Sequence, residues 1–91
     1  MTNRLNRWRK EIDRIDQALL RLLNRRAAAV LQIGRVKKGK GLPVFDGRRE
    51  ERVLRRLFRA NYGPLPASSI RQIFRRILKE SRSLQTGGHE R

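Results

Sequence analysis

The sequence predicts an all-α fold in which each chain has one very long helix and two shorter helices. Apolar residues recur at helical spacings of three and four along most of the chain, and no segment alternates as a half-buried strand does. Turn-forming residues separate three such periodic segments. The 91 residues are enough for one domain but not two, so residues 1–91 are expected to form a single domain.

The first predicted helix covers residues 3–38. Neither glycine nor proline interrupts residues 4–33, and at 1.5 Å per residue the helix would be about 50 Å long, longer than a small domain is wide. The segment 39–43 (GKGLP) should end it, because glycine suits a helix C-cap and proline cannot continue the helix. Its apolar seam, spaced alternately by three and four, consists of Leu5, Trp8, Ile12, Ile15, Leu19, Leu22, Ala29, Ile33 and Val36.

Two shorter helices are predicted at 46–61 and 67–85, followed by a flexible tail at 86–91. Asp46 is a favourable N-cap for the second helix, and the segment YGPLP at 62–66 is a turn. The apolar stripe of the second helix consists of Val53, Leu54, Leu57 and Phe58; that of the third consists of Ile70, Ile73, Phe74, Ile77, Leu78 and Leu84.

Composition narrows the possible functions. Lys and Arg number 24 against 8 Asp and Glu, giving a net charge of +16 that favours an anionic partner. The absence of cysteine excludes disulfides and thiolate metal sites, and His89 is the only histidine, so no metal ligand set or other cofactor is expected. No apolar run approaches the roughly 18 residues of a membrane span, and residues 1–8 lack an apolar secretory core, so we expect a cytoplasmic protein without membrane contact.

Two cations on the first helix are candidates for an anion site. Arg26 occupies a position where the seam should be apolar, and Lys37, eleven residues later, returns to within about 20° of the same face. Arg9 lies seventeen residues before Arg26, about 25 Å along the axis. If it joins the same site, it must come from another copy of the chain. The alternative for Arg26 is a register-setting residue whose aliphatic stem covers apolar surface.

Polar residues also continue the apolar stripes of the two shorter helices. Ser81 and Gln85 extend the face of Phe74 and Leu78 on the third helix, and Glu50 precedes the stripe of the second. Simpler interpretations are fraying for Ser81 and Gln85, and a favourable dipole interaction for Glu50. For the side chain of Asp46 we favour capping of the second helix as its only role. Arg49 lies beside Glu50 in the sequence. The remaining arginines, including Arg82, are most simply solvated.

These residues together resemble the all-helical class of chorismate mutases. The resemblance runs from about residue 4 to residue 85 and is specific only in combination. Its segments are WRKEIDRID at 8–16, LLNRR at 22–26, IGRVK at 33–37, PVFDGRRE at 43–50, IF at 73–74 and SRSLQ at 81–85. It implies an intertwined homodimer with two equivalent sites, and an enzyme that converts chorismate, a dicarboxylate, to prephenate by a [3,3] rearrangement without a cofactor.

The resemblance also implies a role for each candidate residue. Arg26 would bind one carboxylate, and Arg9 of the partner subunit the other. Lys37 and Gln85 would donate to the ether oxygen, where negative charge develops. Glu50 would accept from the substrate hydroxyl beside the Asp46 backbone. Arg49 and Ser81 would complete the polar wall.

Three alternatives stay open at this point. An isochorismate-pyruvate lyase of the same fold shares the arginine, lysine and glutamine pattern, although the group formed by Asp46, Arg49 and Glu50 favours the mutase. A small basic helical RNA- or ribosome-binding protein would explain the net charge. Against it, few aromatic residues are available for base stacking, so nucleic acid is expected to bind only non-specifically, if at all. A mutase domain without catalytic activity is the third.

Overall fold

The structure, a computed structural model, describes residues 3–87 of the chain. They form three helices, α1 (Asn3–Lys40), α2 (Gly47–Ala60) and α3 (Ala67–Gln85), and contain no strand. The all-α prediction is confirmed, and the predicted bounds of the third helix agree with α3. Of the predicted tail, Thr86 and Gly87 follow α3; His89 lies outside the described residues.

Helix α1 ends two residues later than predicted, at Lys40 rather than residue 38. Gly39 continues the helix, and Gly41 takes the left-handed conformation with φ of 64°. The Gly41 amide donates to the carbonyl of Lys38, and the Leu42 amide donates to that of Lys37. These two hydrogen bonds form a Schellman motif, which satisfies carbonyls that the helix end leaves free.

Helix α2 lies inside the predicted range 46–61, because both predicted end residues are caps. Asp46 has an extended backbone, and its side chain accepts a hydrogen bond from the Arg49 amide at 3.1 Å. Asn61 closes the other end and organises the following turn through its side chain, which donates to the Leu65 carbonyl and accepts from the Gly63 amide.

Helix α3 is the central helix of the fold. Both α1 and α2 pack against α3, whereas the backbones of α1 and α2 do not approach each other closely over residues 3–87. The buried residues are few: Val30 from α1, Leu54 from α2, and Leu78 and Ser81 from α3. The small core therefore lies where the three helices converge.

The chain is elongated, and the seam of α1 is exposed. Its radius of gyration is 16.6 Å, against about 12 Å for a compact domain of this length. Trp8, Ile12 and Leu19 are 61%, 55% and 52% exposed, and Ile73, predicted to face inward on α3, is 46% exposed. The exposed residues form a continuous apolar surface along α1 that one chain does not cover. None of the helices in residues 3–87 is both long and apolar enough to cross a membrane.

Candidate active site

All the candidate residues except Arg9 meet in one cleft of about 110 Å³ between the three helices. Its apolar floor comes from the small core, including Val30 and Leu78. Its walls come from the second half of α1, the segment 41–46, the first turns of α2 and the end of α3. The sequence-predicted residues that line it are Arg26, Lys37, Asp46, Arg49, Glu50, Ser81 and Gln85.

Arg26 is held against α3 by Ser81. The Arg26 guanidinium donates to Ser81 Oγ at 2.5 Å, and that hydroxyl donates to the Ile77 carbonyl at 2.8 Å. Ser81 is buried rather than frayed, so fraying does not describe it. Because its oxygen is engaged twice and no base contacts it among residues 3–87, Ser81 orients Arg26 rather than serving as an activated nucleophile. The remaining N–H groups of the guanidinium are left for a ligand.

Lys37 joins the end of α1 to the segment before α2. Its ammonium donates to the Val44 carbonyl at 2.8 Å, and the side chain is partly buried. An ammonium group has three N–H donors, so two are left to point elsewhere in the cleft. The contact places a positive charge at a defined position on the wall.

Gln85 presents an amide with no hydrogen-bond partner among residues 3–87. Its Oε1 is buried and unpaired, an arrangement that ordinarily costs about 1–3 kcal/mol. The two ends of an amide have nearly the same shape, so turning the group by 180° would place an N–H donor at that position. The cleft therefore holds a polar group that is free to bind a ligand.

Arg82 also lines the cleft, although the sequence predicted a solvated side chain. That prediction is wrong: its Nη1 donates to both Glu50 carboxylate oxygens at 2.6 Å, and its guanidinium lies 5.5 Å from the centre of the Phe45 ring. A signal was present in the sequence, since Arg82 is four residues after Leu78 and three before Gln85, on the same helix face. Glu50 accordingly has an ion-pair partner in addition to its favourable place in the first turn of α2.

Asp46 and Arg49 contribute less to the cleft through their side chains. The Asp46 carboxylate accepts from the Arg49 amide, so it caps α2 as the sequence predicted. Arg49 is exposed at the edge of the cleft.

Arg9 does not reach the cleft. It lies exposed in the first turns of α1, and helix geometry places it about 25 Å from Arg26 along the axis. A second chain would have to supply it.

Charge and hydrogen bonding suit the cleft to a small anion. Arg26, Lys37, Arg49 and Arg82 contribute four positive charges, while Asp46 and Glu50 contribute two negative ones. Guanidinium groups bind carboxylates through paired hydrogen bonds, and fixed donors stabilise oxygen atoms that gain charge during a reaction. The arrangement can hold an anionic molecule in one conformation and stabilise developing negative charge.

The sequence matches a family model described as chorismate mutase type II over residues 8–86. It is 38% identical over 85 residues to the bifunctional chorismate mutase/prephenate dehydratase of Aquifex aeolicus, covering 89% of this chain and 24% of that protein. It is 46% identical over 72 residues to the protein of the same description from Neisseria gonorrhoeae, covering 79% of this chain and 19% of that protein. The chain thus spans about a quarter or less of the length of these curated relatives.

A solved structure resembles the chain along almost its whole length. The chorismate mutase (form II) of Thermus thermophilus superposes with a TM-score of 0.91 at 40% sequence identity. The match covers 96% of this chain and 99% of the Thermus chain. The three-helix arrangement is therefore shared with a structure that consists of this domain alone.

Proposed function

The chain belongs to the type II chorismate mutase family, and we propose that it converts chorismate to prephenate by an intramolecular [3,3] rearrangement. The observation that carries the proposal is the cleft, which is lined by six of the predicted residues from the three helices and by Asp46, the N-cap of α2. The reaction breaks a carbon–oxygen bond of the ether as a carbon–carbon bond forms within the same molecule, so what the protein supplies is conformation and electrostatics.

Each of the seven sequence-predicted cleft residues has a role in the proposed reaction. Arg26, held by Ser81, binds a substrate carboxylate through its free N–H groups. Lys37 and Gln85 donate to the ether oxygen, which gains negative charge as its bond to the ring breaks. Glu50 accepts from the ring hydroxyl, with the Asp46 backbone beside it, and Arg49 closes the edge of the cleft. The geometry supports these roles by placing the seven residues together.

We also propose that the enzyme is a homodimer in which each site is completed by Arg9 of the partner subunit. Three features support this assembly: the exposed seam of α1, the elongated shape of the single chain and the distance of Arg9 from its own cleft. Burying half-exposed leucine and isoleucine side chains stabilises an assembly by roughly 25 cal/mol for each Å² removed from water. The cytoplasmic location expected from the sequence stays a prediction.

The test is a chorismate-disappearance assay on the purified chain, with the product identified chemically. Prephenate as product supports the mutase; pyruvate and salicylate released from isochorismate would indicate the lyase instead. Arg26→Ala should abolish most of the activity. Arg25→Ala is the matched control, because it removes the same charge from an exposed neighbour that does not line the cleft. Equal activity in the two variants would contradict the proposed site.

A further inference from the structure

We propose that Arg82 is a positioning residue for the reaction: it holds the Glu50 carboxylate in the orientation that accepts the substrate hydroxyl. The inference rests on the proposed function. It begins from a contact that links the end of α3 to the first turn of α2, between residues 32 apart in the sequence.

The contact orients the carboxylate strongly. A single guanidinium nitrogen of Arg82 lies 2.6 Å from each of the two Glu50 carboxylate oxygens, so it contacts both at equal distance. The side chains are only 34% and 21% exposed. Charge-assisted hydrogen bonds of this length are stronger than neutral ones, and partial burial weakens their screening by solvent. Rotation of the carboxylate about its terminal torsion is therefore restricted.

Arg82 is itself held in place. The Phe45 ring lies 5.5 Å from its guanidinium, within the range of a cation–π contact. Phe45 belongs to the segment that also carries Val44, the acceptor for Lys37. The Glu50 carboxylate is consequently connected through Arg82 to the same short segment that fixes the lysine.

The ion pair also matches the charge of the substrate. An unpaired glutamate beside a dicarboxylate would repel it, whereas Arg82 balances the negative charge and leaves the carboxylate with unused lone pairs. One of these lone pairs can accept a hydrogen bond from the substrate hydroxyl. Arg82 thus permits a carboxylate to serve as a hydrogen-bond acceptor in a site built for an anion.

A purely structural role would link α2 to α3 without affecting substrate orientation, and the test must separate the two. Arg82→Met removes the charge and keeps a long apolar stem; Arg82→Lys keeps a charge but loses the guanidinium. Arg76→Met is the matched control, because Arg76 is another α3 arginine paired with a glutamate, Glu80, at 2.8 Å, but exposed and away from the cleft.

The experiment measures kcat and KM for chorismate and for an analogue in which hydrogen replaces the ring hydroxyl. That hydroxyl takes no part in the bonds that break and form. We expect Arg82→Met to lower kcat/KM for chorismate by about tenfold to a hundredfold. The same variant should change kcat/KM for the analogue by about twofold at most. The kcat/KM of Arg82→Lys for chorismate should lie between the values of Arg82→Met and wild type. Adding Glu50→Gln to Arg82→Met should cause little further loss. Circular dichroism and thermal unfolding establish that each variant is folded.

The outcomes distinguish this inference from the proposed function. An equal loss of kcat/KM on both substrates in a folded Arg82→Met variant would show that Arg82 has only a structural role. Wild-type activity in that variant would show that Arg82 has no role in the reaction. Either result overturns the inference while wild-type turnover of chorismate upholds the mutase assignment. A wild-type chain that does not act on chorismate would overturn both. If Arg82→Met does not fold, the same comparison is made with Arg82→Lys, where a loss confined to chorismate supports the inference and an equal loss refutes it.

Discussion

Gly34 of α1 lies so close to Gln85 of α3 that a Cβ atom at position 34 would be 3.2 Å from Gln85 Cγ and 3.3 Å from Gln85 Cα. Glycine in a helix interior costs about 1 kcal/mol relative to alanine. At this position the missing side chain lets the two helices approach where the free amide of Gln85 enters the cleft. Local stability and the geometry of the site therefore favour different residues at position 34.

Replacing Gly34 by alanine should affect catalysis more than stability. We expect Gly34→Ala to lower kcat several-fold, because the new methyl group presses on both the side chain and the backbone of Gln85. Its gain in helix propensity should be largely offset by that contact.

Gly39→Ala is the control for Gly34→Ala. Gly39 is also helical, and a Cβ atom added there would have no neighbouring atom within 4 Å. It should stabilise the protein by roughly 0.5–1 kcal/mol with unchanged kcat. Thermal unfolding and steady-state kinetics measure both effects, and identical behaviour of the two variants would contradict the proposed importance of the Gly34–Gln85 contact.

The proposed role of Gln85 as a donor predicts a specific pH dependence for Gln85→Glu. At neutral pH the introduced carboxylate is ionised and repels the developing charge on the ether oxygen, so kcat should fall by on the order of a hundredfold. At acidic pH the carboxyl group is protonated and donates again, so activity should recover. The pH–rate profile of the variant against wild type provides the measurement.

Gln72→Glu is the matched control for this profile. Gln72 is an exposed residue of α3 outside the cleft, and its replacement makes the same change in charge. It should keep the wild-type profile. A folded Gln85→Glu variant that is fully active at neutral pH, or that shows no recovery in acid, would remove Gln85 from the ether-oxygen role.

Sites shared between subunits should be restored by mixing two inactive variants. Arg9→Ala and Arg26→Ala should each lose most activity because each removes a proposed carboxylate ligand. In a heterodimer of the two, both changes fall in one site and the other site is intact. When equal amounts of the two chains pair at random, half of the dimers are heterodimers, and each heterodimer has one intact site out of two. Activity should therefore rise toward a quarter of the wild-type level. Subunit exchange is followed independently with a tagged chain. Exchange without recovery would refute the shared site.

The excess positive charge should speed substrate encounter rather than the chemical step. Arg52, Arg55, Arg56 and Arg59 are exposed along α2, and none forms a salt bridge within residues 3–87. Their field attracts a dianion but is screened over about 10 Å at 0.1 M salt. If association limits kcat/KM, raising ionic strength should lower kcat/KM while leaving kcat nearly constant, and replacing Arg55 and Arg59 by glutamine should weaken that dependence. A parallel fall in kcat would instead indicate that salt disturbs the site or the assembly.

The helices could be predicted from the sequence because the interactions that form them are local. Helical periodicity depends on neighbours three and four residues apart, and the ends of α2 depend on its capping residues, Asp46 and Asn61. The end of α1 was misplaced by two residues because Gly39 is tolerated in the last turn, and Gly41 is the glycine that adopts the left-handed conformation.

The positions of Arg26 and Lys37 on one helix face were also predictable, because 3.6 residues per turn fixes direction along a single helix. Polar residues that interrupt an apolar stripe pointed to the cleft. Three contacts were decided only by the tertiary structure: the bond from Arg26 to Ser81, the close approach of Gly34 to Gln85, and the pairing of Arg82 with Glu50. Each joins two helices, and its geometry depends on how those helices cross and at what offset. Periodicity identifies the face that each helix turns inward, but side chains from different helices meet only after packing sets their relative height and rotation.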